Sequence, residues 1–452
     1  MDLMQAYYGL PSTVRNWAIS IYGAWQAHGR FSAEFSTWHE FLLQSQYLNQ
    51  EEMRSYQLEA LRGLLCHAYA TVPHYTRAFD QCGIRPDDIT SLEDMDKLPL
   101  LTREDVVNHF DDLRSSAAKG YRPILATSSG TTGQKLGYMI PHALRRPFQA
   151  ANQWRYYGWA GVKLGDHRAT LGARIFATRP PYWAWNRWEN QLLLSSHHLN
   201  YENLSLYAQL LDRFSIDFIQ GHPSAVAVLA EYLLMEGTSL PMKGVFTTGE
   251  TVYPDDREMI ENAFACRLLD SYGMGEWAAA AQQCNRTSGY HEISEACIVE
   301  LDPLGDGSYE VIGTSLLNYA MPFIRYRTGD IAVPHADSMC ECGRGLPIKI
   351  SEVYGRIDDK IILPERVILP VTVRMHMKPL LLPGETYQVI QEDFKTIRVL
   401  FTGPVDSRRM QEIEMEMMKF LGPRMAVFVE HTEEIRTQRN KVRNVISTIA
   451  KR

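Results

Sequence analysis

The chain has 452 residues, of which 45% are hydrophobic and 22% charged, with a formal net charge of −7. That length exceeds what one ordinary core organises, so at least two domains are expected. The negative balance, with no basic arm or Lys/Arg block, excludes nucleic acid as a main partner.

The chain opens Met1, Asp2, Leu3, Met4, Gln5 without a basic region followed by an apolar stretch, which predicts no secretory signal. No apolar run approaches the roughly 18 residues that span a bilayer. A cytoplasmic protein with no membrane partner is therefore expected. The first hundred residues read as helical, because Leu58, Leu61, Leu64, Leu65 and Ala68 recur at the three- and four-residue steps of one buried face. Pro73, Pro86 and Pro99 punctuate the stretch after that face. From about 120 to 330, strand-like runs (Ala169–Leu171, Phe218–Ile219, Val245–Thr247) alternate with helix-like ones (Ser205–Phe214, Ser224–Glu236, Asp255–Phe264). That alternation predicts an α/β domain with a substantially parallel sheet, in which ligands sit in the loops after strands.

Beyond about 355 the pattern changes. Tyr387–Gln391, Ile397–Phe401 and Met425–Val429 read as strands, with a helix between the last two that shows Met410, Ile413, Met417 and Phe420 on one face. The Met-rich stripe is read as ordinary core. The chain is thus divided into a large α/β N-terminal domain, 1–355, and a small α+β C-terminal domain, 356–452.

Chemistry concentrates in six short segments. Thr127-Ser128-Ser129-Gly130-Thr131-Thr132-Gly133-Gln134-Lys135 combines glycines that free the backbone with hydroxyls that add donors, a composition able to wrap a polyphosphate. It lacks the spacing of a Walker loop, and by composition alone it reads as an ordinary surface turn more often than not. Its residue order resembles the phosphate loop of the adenylate-forming superfamily, which includes acyl-CoA synthetases, peptide-synthetase adenylation domains and luciferases. The remaining segments come in the order that family requires. Thr248-Gly249-Glu250 resembles its G-x-E turn beside the adenine and acyl pockets. Tyr272-Gly273-Met274-Gly275-Glu276 resembles Y-G-x-[ST]-E, with Gly275 standing where a hydroxyl is usual. Arg325-Tyr326-Arg327-Thr328-Gly329-Asp330 is similar to Y-R-T-G-D, and Gly355-Arg356-Ile357-Asp358-Asp359 to the interdomain hinge G-R-x-D-D. Ile435 to Arg443 resembles the terminal G-K-x-R, with Asn440 at the Gly position.

The resemblance implies the adenylate-forming fold, with ATP, Mg²⁺ and coenzyme A as cofactor and co-substrates. It implies that Ser128, Ser129, Gly130, Thr131, Thr132 and Gly133 cradle phosphates, and that Gly249, Glu250, Tyr272 and Gly273 line the nucleotide pocket. Glu276 would orient Mg²⁺, Asp330 would accept from the ribose hydroxyls, and Arg356 would reach the nucleotide. Asp358 would act as pivot and Lys441 would bridge carboxylate and α-phosphate. A carboxylate suits both a hard cation and a diol, and a long stem with a compact charge suits a residue that enters and leaves a site.

Branch features are similar to the phenylacetate–CoA ligase group and its capsular polysaccharide relatives. They are His67-Ala68 with Val72-Pro73-His74-Tyr75, Leu98-Pro99-Leu100-Leu101-Thr102-Arg103, and Gly221-His222-Pro223-Ser224-Ala225. His222, Pro223 and Ser224, with Gly249, are implied to line the acyl pocket, and the aromatic run Tyr182-Trp183-Ala184-Trp185 is either part of it or plain core. The substrate expected is a small carboxylic acid, aryl or compact in preference to a long fatty chain. The acceptor is coenzyme A by family, with an amine or carrier protein as alternatives, and the chain is expected to be a monomer or homodimer. A nucleotide-binding member without ligase activity is the competing class, suggested by Gly275 and Asn440.

Seven cysteines, sparse and odd in number, do not suggest a disulfide framework. Cys284-x6-His291 with Cys340-x-Cys342 supplies three thiolates and one imidazole, a tetrahedral shell for structural Zn²⁺. Spacing alone leaves scattered buried cysteines as the reading; the resemblance to zinc-carrying relatives favours the metal.

Overall fold

The computed structural model describes every residue except 1–6, 8–9, 128–135, 174–176, 178, 306, 338, 364–365, 383–384, 405, 423, 434, 436–443 and 450–452, and the side chains of 358 and 371. The opening is helical as expected: Ser12–Arg30, Ala33–Ser45, Gln50–Thr71 and Pro73–Cys82. In the third of these, Leu61, Leu64, Leu65 and Ala68 are fully buried. Asn49 accepts from the Glu52 N–H while the Glu52 carboxylate accepts from the Asn49 N–H, which sets where this helix begins. Thr102 and Asp105 make the same reciprocal pair at the start of helix Arg103–Asn108, fixing Arg103 in its first turn.

A short antiparallel hairpin, β1 (Ile124–Thr127) and β2 (Gly137–Ile140), comes next. The main sheet then builds from β3 (Arg168–Gly172), β4 (Trp183–Asn186), β5 (Gln191–Ser195), β6 (Phe218–Gly221), β7 (Gly244–Thr248) and β8 (Leu268–Gly273). It continues through β9 (Ala280–Gln283), β10 (Tyr290–Glu292), β11 (Cys297–Pro303), β12 (Tyr309–Ser315), β13 (Tyr326–Pro334) and β14 (Ile348–Arg356). Among the described residues these twelve strands run in the order β11-β12-β13-β14-β10-β9-β8-β7-β6-β3-β5-β4. Only β8, β7, β6, β3 and β5 are mutually parallel. The rest pair antiparallel, so the expectation of a substantially parallel sheet holds for the half running from β8 to β5 and fails for the β9–β14 half.

Helices Tyr201–Arg213, Pro223–Met235 and Pro254–Phe264 cross over between parallel strands and pack one core with β3, β5, β6 and β7. A second core joins the N-terminal helices to β8 through β14. From Ile361 onward the chain has a core of its own. It comprises β15 (Ile361–Ile362) with β16 (Val367–Ile368), helix Pro370–Met377, and a four-stranded sheet of β17 (Tyr387–Gln391), β18 (Thr396–Phe401), β19 (Ala426–His431) and β20 (Val445–Ser447). Helix Ser407–Leu421 closes that core with Ile413 and Met417 buried and Met410 and Phe420 packed at its edge, so the methionine stripe is core. No described helix is long and apolar enough to cross a membrane.

Candidate nucleotide site and metal centre

The sheet brings the candidate residues to one edge. β6, β7 and β8 are parallel neighbours, with Gly221 opposite Thr247 and Thr248 opposite Ser271. His222-Pro223-Ser224 leaves β6, Gly249-Glu250 leaves β7, and Tyr272-Gly273 ends β8. All three segments therefore emerge at the C-terminal ends of adjacent parallel strands, where open α/β sheets bind ligands. Hydrogen bonds tie them together. His222 donates Nδ1–H to the Thr248 carbonyl at 3.0 Å, and Ser224 N–H donates to Glu250 Oε2 at 3.2 Å from the first turn of helix Pro223–Met235. Glu250 Oε1 is buried with no hydrogen-bond partner among the described residues.

Asp330 and Arg356 face each other across the β13–β14 ladder. β13 lies four places from β8 in the sheet, a separation of about 19 Å if the sheet were flat. Yet Tyr272 Oη donates to Asp330 Oδ2 at 2.9 Å, so the sheet curls over and closes a concave site. Arg356 holds the turn from the far side, with Nη2 donating to the Thr328 carbonyl at 3.0 Å and Nε 3.8 Å from Asp330 Oδ1. Gly329 has φ of 73° and sits 3.3 Å, measured from its implied Cβ, from Arg356 Nη2. The turn needs a residue free to adopt that left-handed conformation.

Glu276 is buried at 5% exposure. Burial raises its carboxyl above the ordinary value and the Asp330 charge adds to this, while Arg356 and Arg103 pull it back. Tyr272 is pushed well up by desolvation and then by the adjacent Asp330 carboxylate. Tyr326 is raised for the same first reason, with Glu276 next. Two carboxylates, three tyrosines counting Tyr138, and two arginines thus converge here, and the carboxylates repel one another. Such a cluster is suited to receive a cation.

The Cys/His group forms a second centre. Cys284, His291, Cys340 and Cys342 present one ligand atom each within 4.8 Å of one another. Cys284 Sγ lies 3.7 Å from Cys340 Sγ, and Cys342 Sγ lies 3.7 Å from His291 Nε2. A tetrahedral zinc with arms near 2.3 Å separates its sulfurs by about 3.8 Å, so the donors have the spacing of one ion. His291 is fully buried and donates Nδ1–H to the Leu346 carbonyl at 2.8 Å. That bond orients Nε2 toward the cluster as outer-shell partners of metal ligands do.

No protein-family model matches the chain. The chain is 27% identical over 372 residues to a phenylacetate-coenzyme A ligase of Pseudomonas putida, covering 75% of this chain and 78% of that one. It is also 25% identical over 277 residues to the protein CapK of Staphylococcus aureus, covering 60% of each. In three dimensions it resembles a crystal structure of 2-hydroxyisobutyryl-CoA ligase with a TM-score of 0.63 and 20% identity, over 89% of this chain and 91% of that one. The chain is thus similar over most of its length to coenzyme A ligases and shares the fold of one. Its sequence relatives are phenylacetate-coenzyme A ligases and CapK.

Tyr272, Gly273, Glu276, Asp330 and Arg356 lie together, and Gly249, Glu250, His222, Pro223 and Ser224 line the neighbouring strand ends. Ser128, Ser129, Gly130, Thr131, Thr132, Gly133 and Lys441 lie outside the described residues, as does the side chain of Asp358; β1 and β2 flank segment 128–135 in sequence, with Thr127 opposite Gly137. The aromatic run proves to be packing on the far edge strand β4. Trp185 stacks on Phe214 with centroids 4.4 Å apart, and Tyr182 stacks on His198 at 3.5 Å.

Arg103 is a site residue that the motifs alone did not assign. Leu101 N–H donates to the Arg325 carbonyl at 3.0 Å and Arg327 N–H to the Leu101 carbonyl at 2.9 Å. This pairing docks the Leu98–Arg103 segment against the Arg325–Asp330 turn, which gives a branch motif a physical task. Beyond the hinge turn Ile357–Asp359, helix Pro370–Met377 docks on the first turn of helix Pro254–Phe264. Arg374 Nη2 donates to Asp256 Oδ2 at 2.6 Å and packs 4.0 Å over the Tyr253 ring.

Proposed function

We propose that the chain uses MgATP to activate a small carboxylic acid as an acyl-adenylate, releasing pyrophosphate, and then transfers the acyl group to coenzyme A. The observation that carries this reading is the closure of the curled sheet that joins Tyr272 to Asp330, with Glu276 and Arg356 beside them. In the first half-reaction a substrate carboxylate oxygen attacks the α-phosphorus and the bond to pyrophosphate breaks. In the second, the coenzyme A thiol displaces AMP. Catalysis of both is positioning plus charge compensation.

Asp330 accepts from the ribose hydroxyls and Tyr272 presents a flat face to the adenine. Gly130, Thr131, Thr132 and Gly133 surround the phosphates, with Ser128 and Ser129 at the loop's start. Glu276 would hold Mg²⁺, whose charge neutralises the leaving pyrophosphate. Gly249 and Glu250 lie between nucleotide and acid, and His222, Pro223 and Ser224 contact the acyl group. Lys441 compensates charge at the α-phosphate. The chain works as two lobes, 1–355 and 356–452, turning about Asp358 so that the small lobe serves each half-reaction with a different face.

The cysteine cluster binds structural Zn²⁺ through Cys284, His291, Cys340 and Cys342. Four protein ligands leave no open position for chemistry, and the ion ties the β9–β10 turn after Glu276 to the β13–β14 connection after Asp330.

The test is a panel of aryl and short-chain acids incubated with the full chain and MgATP, with and without coenzyme A. Acid-dependent pyrophosphate release and a thioester detected by mass are expected. If no acid elicits release, the chain is a nucleotide-binding member without ligase activity. An acyl product formed only with an amine or a carrier protein would change the acceptor.

A further inference from the structure

Position 275 departs from the family pattern in a way the structure explains. Gly275 lacks the hydroxyl usual there, and a Cβ built on it would lie 2.0 Å from Tyr138 Oη and 3.0 Å from Tyr138 Cζ. No side chain fits at 275 while Tyr138 keeps its place. A serine Oγ would project beyond that Cβ, into the space the phenol oxygen already fills. Tyr138 itself is 6% exposed and stands on β2, opposite Ala126 and one residue beyond the Gly137 that closes the hairpin around the phosphate loop. The Asn318 side-chain amide donates to the Met139 carbonyl at 3.0 Å and helps fix the strand. The phenol hydroxyl therefore arrives at the Tyr272–Glu276 segment from the β1–β2 hairpin, at the spot a side chain on residue 275 would take.

We propose that Tyr138 and Gly275 are a compensating pair, in which the Tyr138 hydroxyl replaces the hydroxyl missing at 275 and donates to a phosphate oxygen of the bound nucleotide. The inference rests on the adenylate-forming reading of this site and names a residue that reading does not use. The chemistry is conserved in kind, because a phenol O–H, like an alcohol O–H, donates to an anionic oxygen. The geometry is not conserved, since the donor now rides on the hairpin that carries the phosphate loop. Gly275 is then a requirement of the replacement, and its lack of a hydroxyl does not signal lost activity.

The test uses the full chain and two readouts, MgATP affinity by calorimetry and kcat and KM for MgATP in acid-dependent pyrophosphate release. Tyr138→Phe keeps the ring and removes only the donor. Its kcat/KM for MgATP is expected to fall roughly ten- to hundredfold, the range for losing a hydrogen bond to a charged group. Two double variants separate chemistry from packing. Tyr138→Ala/Gly275→Ser restores a hydroxyl in the freed space and should regain a large part of that loss. Tyr138→Ala/Gly275→Ala fills the same space without a donor and should not. Unchanged MgATP parameters in Tyr138→Phe, or equal recovery in both double variants, overturns the pair. A wild-type chain that binds MgATP without turnover puts the ligase reading aside, and the affinity ratios then decide the pair. A wild-type chain that does not bind MgATP overturns both.

Discussion

Removing the metal from the Cys284/His291/Cys340/Cys342 cluster should lower the melting temperature of the large lobe by several degrees. The magnitude comes from the elements that the cluster joins. Cys284 follows β9, His291 lies in β10, and Cys340 and Cys342 belong to the β13–β14 connection, so an ion there cross-links Cys284 to Cys340 across 56 positions of sequence. Closing such a loop in the unfolded chain is worth about 4 kcal/mol. At roughly 2 °C per kcal/mol for a large domain, the melting shift is about 8 °C. This is an upper figure, because free thiolates and imidazoles of the unfolded chain also bind zinc.

The site should accept the ion with little strain, since the 3.7 Å spacings already match a tetrahedral edge and the Leu346 carbonyl already orients His291. The assay is metal analysis of protein purified without chelator, followed by calorimetry with and without a strong chelator. Cys340→Ser and Cys342→Ser should reproduce the chelator effect, while Cys66→Ser, at an exposed cysteine, should leave the melt unchanged. Less than about half an equivalent of zinc per chain, or a chelator that leaves the large-lobe transition where it was, refutes the argument.

Asp330→Asn should raise KM for MgATP and lower kcat/KM by about ten- to hundredfold, because an amide keeps one acceptor and presents a donor where a diol needs two acceptors; unchanged kinetics would remove the ribose assignment. Glu276 gives a pH prediction. Burial raises its folded-state pKa above 4.5, so the stability it contributes is present at low pH, below its unfolded value, and is lost as pH rises through the folded one. At neutral pH Glu276→Gln should therefore stabilise the free protein while abolishing the melting shift produced by MgATP. In the parent, MgATP affinity should fall as pH drops through that raised pKa, and a flat profile contradicts the role. Arg374→Ala should loosen the docking of helix Pro370–Met377 on Asp255 and Asp256. Faster proteolytic cleavage near the Ile357–Asp359 turn, with the core transitions unchanged, is the expected signature.

Reading the sequence worked where one residue pattern has one physical cause. The face Leu61, Leu64, Leu65, Ala68 is buried because a helix that long must hide one side, and Phe218–Ile219 and Val245–Thr247 lie in the parallel strands that their short apolar runs suggested. In the antiparallel half, β9 and β10 escaped because they are buried on both faces while carrying polar residues. β9 is Ala280-Ala281-Gln282-Gln283 and β10 is Tyr290-His291-Glu292, all buried. Several of their polar groups find distant partners: Gln283 Oε1 accepts from Arg257, and Glu292 accepts from Gln57 and from the Val299 N–H. No local period reports a strand whose polarity is answered from elsewhere in the fold. Arg103 and Tyr138 were missed for a related reason. Each belongs to the site only through the tertiary contact that carries it there, Arg103 by the Leu101–Tyr326 pairing and Tyr138 by the hairpin's approach to Gly275.

The electrostatics of the site explain why its parts come from so many segments. Glu276 and Asp330 are close enough that each disfavours ionisation of the other. Two carboxylates held that way on one rigid element would be a standing liability to the empty fold. Here the cost is spread over separate elements. Asp330 is answered by Tyr272 from β8 and Arg356 from β14, and Glu276 feels Arg103 from a helix capped by its own Thr102–Asp105 pair. The arginines are anchored by the backbone of the Thr328–Asp330 turn and by the Leu101 pairing, so they offset the acids without moving into the space between them. Two acids held together in this way favour a ligand arriving with its own divalent cation over an anion arriving bare. A bare triphosphate would meet two carboxylates, whereas the magnesium complex brings the charge that both acids lack.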